Sequence, residues 1–344
     1  MILMITRKEC PFCGKSSQLE SQATEKEFRK EKFPIREFFY KCESCGEEFT
    51  TTAIDEITVN QVYNQYREKY GILFPEELVN LRLKYNLSAQ KISQVLGLGI
   101  NSYSNYEKGE IPTIANSNLI RSARNPGVFL TYLTQATNVF TEKAFNELTR
   151  CIQSLIKEGD FVPVMKNLNW YIVPNKYTGY VVPNLAKISN LLLYIIKTCD
   201  PQFNDKLKLN KMLFYADFNH YKNTGRSITG LTYRAAPYGP VPTNYDYIFA
   251  YLTNEDRMIE SEFKRSQNSG VVEFFQATKP YELSVFDGDE METINQIINQ
   301  LKNTPSWELV ELSHKERAWK ELNSSSGIVS YQEYGFDLGE MGES

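Results

Sequence analysis

Two C-x-x-C hooks constrain this chain more than any other feature: Cys10 with Cys13, and Cys42 with Cys45, about thirty residues further on. Each hook is followed directly by a glycine, Gly14 or Gly46. Four thiolates in a tetrahedron make a closed structural zinc site, and the glycines ease the tight turn that aims backbone amides at sulfur. A redox dithiol needs only one such hook. The strand-like stretches FPIREFFYKC and EEFTTTAI flank the second hook, so residues 1–58 read as a zinc ribbon with structural Zn2+. With only two closely spaced pairs among six cysteines, the usage fits a reducing compartment. Cys151 and Cys199 sit in apolar helical patterns and are expected to be buried thiols.

At 344 residues the chain exceeds one ordinary core, and it divides into successive patterns. Val62, Tyr66 and Tyr70 fall at helical spacing and predict a connector helix over 59–74. Five short helical segments follow over 75–137. Pro75 opens the first, Ser88 caps the second, and Gly97 ends it before a turn. This is the layout of a helix-turn-helix domain. On the segment after the turn Asn101 and Asn105 are four residues apart and share a face, with Ile100, Tyr103 and Tyr106 expected to turn inward. Asparagine is suited to a two-bond contact with adenine in the major groove. Net charge is −4, which excludes a general polyanion binder and leaves DNA contact to one local face.

From Ser88 to Gly109 the pattern resembles the Xre (Cro/C1-type) family: Gly97, Leu98, Tyr103 and Ser104, then the Tyr106, Glu107, Lys108, Gly109 ending. More narrowly, Gly99, Ile100 and Asn101 with that ending look like the antitoxin family MqsA, which also carries a zinc module ahead of its helix-turn-helix. The resemblance implies operator contacts by Asn101, Asn105 and Ser102, phosphate contacts by Lys91 and Lys108, and a homodimer on a two-fold site. Relatives often have Arg at the position of Asn105, Gln at Ala89 and Ala at Ser93.

Residues 138–183 read as a helix and linker. From Asn184, amphipathic helices alternate with short strands, and a β-hairpin is expected around Asn268–Gly270. The stretches KMLFYADFNHYKNTGRSITG, AAPYGPVPTNYD and ELSHKERAWKE resemble the Panacea domain found in the antitoxin SocA, over 184–325. That resemblance implies a toxin-binding module without enzymatic activity. The proline-stiffened turn and the aromatic helix nominate Tyr215, Phe218, Tyr238 and Pro240 as toxin contacts. His220 and His314 read as satisfied helical histidines, because Ser313–His314 lacks an acid at defined spacing and a Gly-rich oxyanion turn. No residue is assigned a catalytic role. Residues 326–344 read as a fraying tail.

The expected fold class is multidomain and mainly α with small β elements: a zinc ribbon, a five-helix Xre-type domain and an α+β Panacea domain. The expected function is an antitoxin that binds a cognate toxin through its C-terminal domain and represses its own operon. The alternatives are a phage or mobile-element transcriptional regulator with no toxin partner, and a proteolytic adaptor. No apolar run is long enough to cross a bilayer, and the first ten residues are too short in apolar content for a signal peptide, so the expected setting is bacterial or phage-encoded, cytoplasmic and without membrane contact.

Overall fold

The computed structural model describes residues 6–158, 173–255, 257–266 and 270–339. It is mainly helical with small sheets, as the sequence predicts. The chain divides into two compact units, one built from Met1–Val62 and Leu168–Ser344, the other from Tyr63–Asn167.

The first unit opens with a four-stranded antiparallel sheet in the order β1-β2-β3-β4, formed by Arg7–Glu9, Ser16–Phe28, Glu31–Cys42 and Glu48–Phe49. β2 and β3 make a long hairpin whose two turn residues, Arg29 and Lys30, both have positive φ, at 49° and 68°. Positive φ at both positions matches the right-handed twist of the strands. The stretch EEFTTTAI is strand only at Glu48–Phe49. Helix α1, Thr52–Tyr70, begins right after it, with the Thr51 carbonyl accepting the Asp55 amide at 2.9 Å. The predicted connector helix therefore starts seven residues earlier than its spacing suggested.

The rest of this unit surrounds α9, Lys206–Thr224, which is buried along almost its whole length. Around it lie α8 (Leu185–Thr198), α10 (Tyr245–Ala250), α11 (Gly288–Leu301), α12 (Ser306–Lys315) and α13 (Arg317–Leu322). Asn184, Asp205 and Asp287 cap α8, α9 and α11 by accepting backbone amides, and Gly225 ends α9 at φ 75°. A three-stranded antiparallel sheet has the order β6-β5-β9, from Gly239–Pro242, Tyr233–Ala236 and Ile328–Val329. The expected hairpin is β7 (Ile259–Ser266) with β8 (Gly270–Ala277), and the turn residues 267–269 lie outside the described residues.

The frayed tail expected from Ser326 does not hold over 328–339. β9 pairs with β5, the short helix α14 (Tyr331–Tyr334) follows, and Tyr331, Tyr334, Phe336 and Leu338 are buried. Apolar side chains spaced among Ser and Gly find a core there that composition does not reveal.

The second unit holds α2 (Pro75–Lys84), α3 (Ala89–Val95), α4 (Ser102–Glu107), α5 (Ile114–Ser122) and α6 (Pro126–Gln135). These are the five helices expected. Leu78, Leu81, Ile92, Tyr103, Ile120, Phe129 and Leu133 form its core, and the Tyr85 and Phe129 rings stack at 3.8 Å. Helix α7, Glu142–Glu158, brings Ile152 into the same core. It does so with its Phe145–Leu148–Ile152–Leu155 stripe, so Cys151 is exposed and not buried as expected, while Cys199 is buried.

Candidate functional site

The four hook cysteines meet at the mouth of the β2–β3 hairpin. Their sulfurs all lie within 4.8 Å of one another, with Cys10 Sγ 3.7 Å from Cys45 Sγ and Cys13 Sγ 3.4 Å from Cys42 Sγ. Metal–sulfur bonds of about 2.3 Å in a tetrahedron put sulfurs about 3.8 Å apart, so the donor set fits one ion. Each hook is a tight knuckle. Gly14 and Gly46, at φ 73° and 77°, return their amides to the Cys10 and Cys42 carbonyls at 2.9 Å. Backbone amides of Cys45 and Ser44 aimed at sulfur hold the Cys42 thiol below its ordinary value, at about 6, whereas burial and the neighbouring thiols push Cys45 up to about 12 and Cys13 also upward. A metal ion would take the Cys42 thiolate readily and would have to displace protons from the others.

The helix carrying the asparagines is fixed from inside its unit. Tyr103 is buried and donates its hydroxyl to the Leu78 carbonyl at 2.9 Å. Glu107 accepts from Arg82 Nε at 2.6 Å, tying the end of α4 to α2. Ser93, fully buried, donates to the Gly99 carbonyl at 2.7 Å and accepts the Tyr103 amide at 3.4 Å, which pins the turn ahead of α4. Gly97 and Gly109 sit at φ 65° and 105°, where a side chain would be strained. These anchors explain the glycines and the glutamate as scaffold. Arg82 carries no motif signal in the sequence, and Ser93, where relatives often have Ala, shows its role only in these contacts.

What remains outside is Asn101, Asn105 and Lys108, all exposed, with Ser102 half-buried. Asn101 stands at the N-cap position of α4 without a capping bond from its side chain. Two expectations change. Ile100 does not turn inward; it is 52% exposed, because the chain is still in the turn there and α4 begins only at Ser102. Lys91 is not a free phosphate contact: its ammonium donates to the Val139 carbonyl at 2.5 Å and lies 5.1 Å from the centre of the Phe140 ring.

In the other unit, side chains from three helices, α9, α12 and α13, converge on the turn between β5 and β6. Lys211, buried in α9, donates to the Pro240 carbonyl at 2.9 Å, and burial pulls its pKa down to about 7. Trp319 Nε1 donates to the Ala236 carbonyl at 2.8 Å. His314 stacks on Trp319 at 3.6 Å and places Nε2 3.2 Å from the Pro237 carbonyl. Gly239, at φ 92°, lies so close to Ser313 Oγ and Lys211 Nζ that a Cβ would collide with both. Tyr238 is left 67% exposed at the tip. The Ser313 hydroxyl donates to Val310 O at 2.8 Å, so Ser313 and His314 serve the scaffold separately and do not form a nucleophile–base bond.

Of the four nominated contact residues, only Tyr238 is at the surface. Tyr215 and Phe218 are buried on α9 and Pro240 is buried in β6, so none of the three can meet a partner. Helix α9 is covered on all sides, so its aromatic side chains face the core. Asp217 on the same helix is also buried; it accepts from the Ile228 and Thr229 amides at 3.0 and 2.8 Å and from the Tyr233 hydroxyl at 2.8 Å. It thereby holds the loop that follows Gly225. His220 reaches Thr293 Oγ1 at 3.2 Å, a satisfied helical histidine as expected.

Among the described residues no helix is long and apolar enough to cross a membrane. The family model described as MqsA, the antitoxin component of a bacterial toxin–antitoxin system, matches residues 8–126. The model described as the antitoxin SocA-like Panacea domain matches residues 209–320. No curated protein matches the chain. Both matched families are antitoxins, and the role they support is that of an antitoxin.

Proposed function

We propose that this chain, a fusion of an MqsA-type segment with a SocA-like Panacea segment, neutralises a cognate toxin by direct protein contact and represses its own operon. The occurrence of two antitoxin families in one polypeptide carries this reading. The toxin meets the Panacea part at a surface that includes Tyr238, whose turn is held by buried groups and so loses little freedom on binding. The second unit enters the major groove with α4. Asn101 and Asn105 read adenines, Ser102 assists, and Lys108 meets phosphate. A homodimer on a two-fold site supplies the affinity that one weakly charged reader lacks. The ion at the four cysteines is structural Zn2+, which suits an all-thiolate closed site.

Growth of bacteria expressing the adjacent open reading frame, with and without the full chain, tests the reading. Rescue by the wild type and loss of rescue in Tyr238→Ala supports it. A harmless neighbour, with binding to the upstream DNA intact, replaces it with a transcriptional regulator that has no toxin partner.

A further inference from the structure

Arg36, Phe38, Tyr40 and Cys42 occupy alternate positions of β3 and therefore share one face of the strand. At one end of this row Cys42 belongs to the thiol cluster. At the other, Arg36 pairs with Asp337, and the Phe38 ring lies 5.7 Å from that of Phe336. Asp337 also pairs with Arg317, and Phe336 packs on Tyr221 of α9 at 5.2 Å. The strand is steadied from behind by Gln61, whose side-chain amide exchanges two 2.8 Å hydrogen bonds with the backbone of Arg36. Asn60, one residue earlier, donates to the Thr224 carbonyl at the end of α9 at 2.9 Å.

The segment gripped in this way lies beyond the matched stretch, which stops at residue 320. It is nonetheless central to the domain. Tyr331 stacks on Phe218 at 4.1 Å and donates its hydroxyl to the Leu231 carbonyl at 2.9 Å. Gly335 has no room for a Cβ, which would meet the Tyr221 ring. Lys222 holds the Leu338 carbonyl at 2.8 Å, and Glu316 accepts the Gly339 amide at 3.0 Å.

We propose that the cysteine ribbon is the closing piece of the C-terminal domain. The four cysteines, once they hold their metal, anchor one end of β3, and the same strand face keeps Arg36 and Phe38 on the segment Tyr331–Gly339. Metal occupancy and the seating of that segment are then one equilibrium, since ligand binding to a folded site is linked to folding. On the antitoxin reading above, neutralisation depends on the metal even where the ribbon never touches the toxin.

Amide hydrogen exchange on the full chain tests this without any toxin, so its failure is separate from failure of the antitoxin reading. The reporters are the Tyr331, Tyr334 and Gly339 amides, with Leu98 and Tyr103 of the other unit as controls. Removing metal with a chelator, and separately Phe38→Ala, should each speed exchange at the reporters at least tenfold and leave the controls unchanged. Unchanged reporters after chelation overturn the proposal, whatever Phe38→Ala does. Should Phe38→Ala fail to fold, Arg36→Ala, Asp337→Ala and the double variant are compared by denaturation of the metal-loaded chain. Non-additive effects are expected, and strictly additive ones overturn the coupling.

Discussion

The Ser93 hydroxyl sits 2.7 Å from the Gly99 carbonyl and is the internal clasp of the turn that aims α4. Ser93→Ala keeps the volume but leaves that carbonyl without this donor inside a packed unit. A loss of about 1 kcal/mol in stability is expected, measured by urea denaturation. DNA affinity should fall by more than this loss of stability accounts for, because the turn that positions Asn101 loosens. Equal stability in wild type and variant would refute the clasp.

Asn101→Ala or Asn105→Ala should cost about 1–3 kcal/mol in binding to the operator and relax sequence preference at one base pair each. Lys108→Ala should weaken binding to all sequences alike and lower the salt dependence by about one counterion. Lys91→Ala, by contrast, should act mainly on stability, because its ammonium is engaged with Val139. Fluorescence anisotropy over a salt series distinguishes these outcomes.

Burial lowers the His220 pKa to about 4, with Lys187 and Arg226 acting the same way and Asp287 opposing. The folded form therefore resists a proton that the unfolded chain accepts near pH 6.5. As pH falls from 6.5 towards 4 the unfolded state binds more protons, so stability is lost across that window and the loss is complete below it. The full effect is on the order of 3 kcal/mol. His220→Asn should flatten the melting temperature between pH 6.5 and 4. An unchanged slope would show that other groups carry the acid sensitivity.

Tyr238 and its neighbour Gly239 should respond in opposite ways. Tyr238→Ala removes an exposed ring and should leave stability within about 0.5 kcal/mol, while weakening toxin binding by about tenfold or more. Gly239→Ala puts a Cβ at φ 92° against Ser313 and Lys211. It should cost roughly 2–4 kcal/mol and weaken the complex only through the distorted turn. Calorimetry on both variants, with and without the toxin, checks the contrast.

Much of this was legible in the residues. The cysteine spacing picked out the four thiols that cluster, Ser88 announced a helix start, and Gly97 and Gly109 announced helix ends. The exposed pair Asn101 and Asn105 followed from a four-residue spacing. These features are local: they rest on contacts within one turn of chain, or on chelate spacing, and a short window of sequence contains all of the physics.

The C-terminal half resisted the same treatment. Helix α9 carries large or apolar groups on every side, so periodicity offers no outer face. Only the surrounding helices decide that Tyr215 and Phe218 are buried while Tyr238 is not. Ile100 faces solvent and Lys91 is engaged with Val139 because of where α4 begins and where the segment after α6 passes.

The sequence by itself determined which four thiols come together, the order of the helices and the glycine turns, because each is decided by neighbours a few residues away or by the spacing that closes a four-thiol cluster. Only the tertiary structure decided that residues 328–339 belong to the core, and that Arg36 meets Asp337 across 301 positions of chain. Such contacts form when distant segments bury one another, and their free energy depends on both partners at once, which no single stretch of sequence contains.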